Sequence, residues 1–156
     1  MILDERNEFA DAVAVAGAAG TALIGDVIDL GTDGVNYVDN VYAVIAVDTE
    51  IFTAGSAGTV QFFLVSDALA TLGAGVVANC TLHSMTGALV TGGTGTQAAL
   101  AAGKTLMQVS LPAGQYERYL GILCTTGTTT TTSGKVNAFL TPNIVTQKSF
   151  DAPWQL

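Results

Sequence analysis

GGTGTQAALAAGKTLMQVSLP (92–112) joins a glycine-rich run to an alternating apolar one. Its first part carries two overlapping nucleotide-binding patterns. Gly93, Gly95 and Ala98 fit a relaxed dinucleotide fingerprint, and Ala98 through Thr105 fit a relaxed phosphate loop closing on Gly103-Lys104-Thr105. Either pattern holds phosphate only where the glycine turn feeds a helix N-terminus, whose free N–H groups face the anion. The residues after Lys104 read TLMQVSLP, alternating with period two until Pro112. They predict a strand where a helix is required, so the stretch is a glycine-rich loop running into a β-strand.

The same period recurs on both sides. Short apolar runs rich in Val, Ile, Thr, Phe and Tyr predict strands over 23–31, 40–49, 58–67, 76–85, 104–111, 115–126 and 134–142, with an eighth near 9–17. Turn chemistry separates them at Asp33-Gly34, 53–59, 91–96, 111–115 and 125–134. The best helical stretch is SDALATLGAG (66–75), where a Ser-Asp start could cap a turn or two, and 97–102 allows one further turn. Crossover helices of the length that parallel sheets need are missing. The expectation is an all-β fold, an antiparallel jelly-roll-like β-sandwich of about eight strands with long glycine- and threonine-rich loops. It occupies 1–156 as a single domain, with an N-terminal arm over about 1–12 and a C-terminal arm over about 143–156.

Several of these strands are apolar on both faces. Val41, Ala43, Ile45 and Val47 point one way and Tyr42, Val44 and Ala46 the other; Val60, Phe62 and Leu64 oppose Gln61, Phe63 and Val65. A sheet with one face in water alternates apolar with polar, so an outer face must be covered by loops of the chain or by a neighbour. Composition agrees: 12% of residues are charged and the mean hydropathy is +0.48, more apolar surface than a monomer of this size usually hides. No run reaches the roughly 20 apolar residues of a membrane span. The net charge of −8, with five Lys and Arg, excludes the basic stripe that nucleic-acid binding needs. The start, MILDERNEFADA, has neither the basic nor the apolar region of a signal peptide, so synthesis in a reducing cytoplasm and unbridged Cys80 and Cys124 are expected.

Candidate chemistry is sparse. His83 is the single histidine, and an odd separation along one strand puts it on the face opposite Cys80. One histidine and two distant cysteines do not make a zinc site. Asp33, Asn36, Asp39 and Asn40 offer oxygen ligands suited to calcium, yet their spacing departs from the EF-hand loop and reads as an Asx-capped turn. A single tryptophan, Trp154, argues against an aromatic sugar groove. No catalytic, cofactor or metal residues are expected. QYERYLGILCTT (115–126) is the most distinctive segment: Tyr116, Arg118 and Tyr119 are residue types favoured at protein interfaces, unless Arg118 merely pairs with a nearby carboxylate. Phe150 and Trp154, in the tail, extend that candidate interface.

LDERNEFADA, VIDLG (27–31), VYAVIAVDT (41–49), GTVQFFLVSDA (58–68), YERYLGIL (116–123) and GKVNAFLT (134–141) together resemble the jelly-roll capsid cement, or decoration, proteins of tailed bacteriophages, of the type described in a Bordetella phage. The resemblance is collinear over nearly the whole chain. It implies a non-enzymatic protein, made in the host cytoplasm and placed on the outer surface of the virion, where it bridges major capsid protein subunits and stabilises the shell. It also implies a homo-oligomer, a dimer rather than a trimer. The alternative class is a carbohydrate-binding jelly-roll module displayed on the virion.

Overall fold

A computed structural model of the chain describes residues 5–15, 17–31, 35–36, 41–54, 58–92, 98–111 and 115–142. Among the described residues there are twelve strands: β1 (Glu8–Ala14), β2 (Gly20–Leu23), β3 (Ile28–Asp29), β4 (Val35–Asn36), β5 (Tyr42–Phe52) and β6 (Thr59–Asp67), then β7 (Thr81–Met85), β8 (Leu89–Val90), β9 (Thr105–Ser110), β10 (Gln115–Tyr116), β11 (Tyr119–Gly127) and β12 (Ser133–Thr141). One sheet has the order β1-β12-β5-β9 and the other β2-β11-β6-β7, with β3 added to β11 and β8 to β6. β10 and β4 form a separate ribbon. Following the eight main strands in chain order, every step changes sheet except β6 to β7, which is jelly-roll topology. Among the described residues the helical turns are all 3-10 and there is no α-helix.

The inward sets are those the alternation predicts. Ala43, Ile45 and Val47 of β5 meet Val136, Ala138 and Leu140 of β12 across one sheet, and Val60, Phe62 and Leu64 of β6 meet Leu120, Ile122 and Cys124 of β11 across the other. These residues form one buried cluster between the sheets, closed at one end by Phe9 and Tyr116. β9 begins at Thr105, immediately after the Gly103-Lys104 turn. That turn is tied to β5, with the Gly103 N–H donating to Val47 O and the Val47 N–H to Lys104 O.

Five expectations need correction. The strand expected over 23–31 is two pieces, β2 and β3, because Gly25 sits at φ +67 and a Cβ there would overlap the Phe9 carbonyl oxygen. Residues 66–75 hold no α-helix: β6 runs on to Asp67, and short turns follow. Asp67 is what organises them, its carboxylate accepting the Leu69 N–H at 3.0 Å and the Gly73 N–H at 2.5 Å. The strand expected over 76–85 is only β7, since Val77–Asn79 is a 3-10 turn. The strand expected over 115–126 breaks at Glu117-Arg118 into β10 and β11. From Glu8 onward the expected N-terminal arm is strand β1, paired with β12. That pairing is bulged, and at the irregularity Asn137 Oδ1 accepts the Ala12 N–H at 2.6 Å.

Candidate functional site

On the outer side of the β2-β11-β6-β7 sheet, Val65 and Leu123 form a second buried cluster with Leu72, flanked by Val27, Phe63, Val77, Cys80 and Tyr119. Residues 68–80 of the same chain therefore cover this face. Leu72 is the anchor, fully buried although its backbone stands at φ +42. That conformation costs roughly 1–2 kcal/mol in a non-glycine residue. Burying the isobutyl group returns roughly 1.5–3 kcal/mol. Gly121 makes the room: a Cβ on it would overlap Leu72 Cδ1. The two-sided apolar pattern of β6 and β11 is thus satisfied within the chain.

Beside the cover, β10 and β11 form an elbow that carries the sequence-predicted interface residues. Tyr116 is 1% exposed and stacks on His83, with ring centroids 4.2 Å apart. It is a core residue rather than a surface anchor. Arg118 is exposed and bidentate to Asp29, with Nε–Oδ1 and Nη2–Oδ2 both 2.9 Å. Its guanidinium carbon lies 5.1 Å from the Tyr119 ring centroid. The carboxylate partner considered for Arg118 is therefore real, but it comes from β3 and not from the local strand. The Asp29 carboxyl is held below its usual range, first by the Arg118 hydrogen bonds and then by the Gly31 N–H. Phe150 and Trp154 lie outside the described residues, as do Asp33, Asp39 and Asn40; of Asn36 the backbone alone is described, in β4.

One polar cluster was not foreseen. The register of β7 on β6 slips between Leu64↔Ser84 and Val65↔Leu82, which makes His83 the extra residue of a β-bulge. The bulge aims its ring inward, and Nε2 meets Ser66 Oγ at 2.8 Å. Ser66 Oγ also lies 3.3 Å from Glu117 Oε2 and accepts the Glu117 N–H at 3.3 Å. If Nε2–H donates to Ser66 and Ser66 donates to Glu117, the chain of bonds runs through a neutral histidine, and burial pushes the His83 pKa down in the same sense. A hydrolytic triad has its carboxylate on the far nitrogen of the histidine. Here the carboxylate is on the serine, and Ser66 is wholly buried, so the cluster joins β6, β7 and the elbow without presenting a nucleophile.

The cysteines are equally withdrawn. Cys124 is buried and its thiol is pushed up to about 12 by desolvation, while Cys80 is raised by burial and by the Asp67 and Glu117 carboxylates. Both are free thiols. Among the described residues no group of three His, Cys, Asp or Glu side chains is placed to hold a metal ion. At the far end of the sandwich, the threonine run closes a hydroxyl-rich cap. Thr53 and Thr91 hydroxyls are 2.6 Å apart, Thr131 exchanges both backbone hydrogen bonds with Gly17, and Thr132 Oγ1 accepts the Ala54 N–H at 2.9 Å.

Over the described residues the fold defines an antiparallel jelly-roll sandwich. Residues 9–140, spanning both sheets from β1 to β12, match the model of the Bbp16 family. The chain belongs to that family, whose name points to a Bordetella phage protein. A comparison with curated proteins gives no match.

Proposed function

We propose that the chain is a structural, non-enzymatic virion protein that binds the outer surface of a phage capsid and stabilises it by bridging major capsid protein subunits. The observation that supports this reading most is the family match, which spans both sheets of the sandwich. A cement role asks for a rigid body with adhesive exterior surfaces and needs no catalytic centre. The acidic balance of −8 suits an outer surface that must not compete for the packaged genome. The elbow around Arg118 and Tyr119 is the shell-facing candidate among the described residues, joined by the tail that carries Phe150 and Trp154. Many copies on one lattice multiply a modest single-site affinity.

The test is add-back. Capsids assembled without this protein are incubated with the purified chain, sedimented, and heated. The expected result is saturable binding at a fixed copy number per shell and a higher temperature of shell rupture. No co-sedimentation at any concentration rejects the reading, and binding of the isolated chain to glycans in its place supports the carbohydrate-binding module.

A further inference from the structure

Residues 68–80 are supported differently from the sheet they cover. Among the described residues, every hydrogen bond they make closes within Asp67–Cys80. Leu72 N–H donates to Leu69 O, Gly75 N–H to Leu72 O, Val76 N–H to Gly73 O, Asn79 N–H to Val76 O and Cys80 N–H to Val77 O. The Asp67 carboxylate and the side chains of Asn79 and Cys80 add to this local set, and none of these bonds reaches β2 or β11. Grip on the sheet is left to side chains. Leu72 is the one that is buried, the others being half-buried or exposed. The backbone around this anchor is left-handed at four consecutive residues, Leu72, Gly73, Ala74 and Gly75, with φ of +42, +61, +55 and +78. Leucine and alanine are strained there, so Leu72 and Ala74 hold a conformation that they leave once the anchor is free. The sheet beneath does not rely on its cover, because β11 and β6 pair continuously from Tyr119↔Asp67 to Gly127↔Thr59.

We propose that residues 68–80 form a strap that lifts from the sheet as one unit while the sandwich stays folded. Lifting breaks no hydrogen bond between strap and sheet, releases backbone strain, and costs chiefly the burial of Leu72 and its neighbours. Asp67, which holds the Leu69 and Gly73 N–H groups, and the junction of Cys80 with β7 are the two ends about which it turns. What opening bares is apolar. Val65 and Leu123 are 0% exposed beneath the strap, and their cross-strand neighbours Leu82 and Leu23 are exposed already. An open strap therefore joins β2, β11, β6 and β7 into one apolar face, continuous with the exposed Leu82, Met85 and Val90 over β7 and β8. A closed strap keeps water from the centre of that face. The device is a lid built into the fold, and it is independent of what the exterior binds.

Thiol labelling of the full chain under native conditions reads the opening. Val65→Cys in a Cys80→Ser background places a thiol under the strap, and the natural Cys124, buried between the sheets, reports unfolding of the sandwich. Both are followed against urea below the unfolding transition, with Leu123→Cys as the second variant where Val65→Cys does not fold. The thiol under the strap should label at least ~10-fold faster than Cys124 and with a shallower urea dependence, because lifting exposes less surface than unfolding. Adding Leu72→Ala should speed it by about 100-fold, which is the lost burial of the anchor expressed as a rate. Equal rates and equal urea slopes for the two thiols, labelling at the rate of the denatured chain, or a rate that Leu72→Ala leaves unchanged would each overturn the proposal.

Discussion

Removing the side chain of Leu72 and filling the notch at Gly121 should show a favourable coupling. Leu72→Ala deletes three buried carbons, about 2.4 kcal/mol at ~0.8 kcal/mol per methylene, and the residual cavity brings the loss to about 3 kcal/mol. Gly121→Ala gains roughly 0.5–1 kcal/mol by stiffening a strand glycine. It loses ~1–3 kcal/mol because its Cβ overlaps Leu72 Cδ1. A net cost of about 1 kcal/mol follows. Once Leu72 is alanine the overlap is gone, leaving Val27 Cγ1 at 3.4 Å and Leu23 Cδ1 at 3.5 Å, which are ordinary contacts. The new methyl then occupies part of the cavity. The double variant should lose about 2–2.5 kcal/mol, against about 4 kcal/mol for the separate losses, a coupling of about 1.5–2 kcal/mol.

Equilibrium urea unfolding of the four proteins, at one fixed protein concentration, measures this directly. With a slope of about 2 kcal/mol/M, Leu72→Ala alone should lower the midpoint by about 1.5 M. Additivity of the two losses to within about 0.5 kcal/mol is the contrary outcome. It would mean that Leu72 does not occupy the Gly121 notch, and that residues 68–80 do not cover the outer face.

Two further expectations follow from titratable groups. Burial lowers the His83 pKa below its ordinary 6.5, so the unfolded chain takes up this proton more readily than the folded one. The neutral-histidine contribution is complete above the unfolded value and is lost as pH falls through it toward the folded value. His83→Gln should remove that part of the slope in unfolding free energy against pH, and an unchanged slope would show that the ring is not desolvated. In a thiol assay on the native protein at mildly alkaline pH, Cys124 should fail to react and Cys80 should react slowly, because burial raises both; two thiols should be released in denaturant. Fast native labelling of Cys124 would contradict the packing of β11.

The strands that carry the core were readable because their period of two is a local property. Val60, Phe62 and Leu64 face inward for the same reason that their alternation is visible. The cover was not readable. Leu72 stands in a stretch without period and finds its place in Gly121, far along the chain on β11, so no window of sequence contains the contact. His83 shows the limit of parity rules. Cys80 and His83 do lie on opposite sides of the sheet, but Cys80 precedes β7 and His83 turns inward at a bulge, so counting along a regular strand gave the separation without the reason. Arg118 was read as either an interface residue or half of an ion pair. Its partner, Asp29, is 89 positions away, and only the register of β3 on β11 brings the two together.

The two most specific motifs of the resemblance also acquire physical meaning, and it bears on where function resides. In YERYLG, Tyr116 fills the core, Glu117 reaches Ser66, Arg118 clamps Asp29, Tyr119 flanks the covered face and Gly121 admits Leu72. In GKVNAFLT, Val136, Ala138 and Leu140 face inward while Asn137 satisfies the bulged β1 strand. These residues set the elbow, the bulge and the cover. The charge-free run from Ala68 through Gly103 lies outside both motifs and carries the apolar strip over β7 and β8. That strip is separate from the residues that set the elbow, the bulge and the cover.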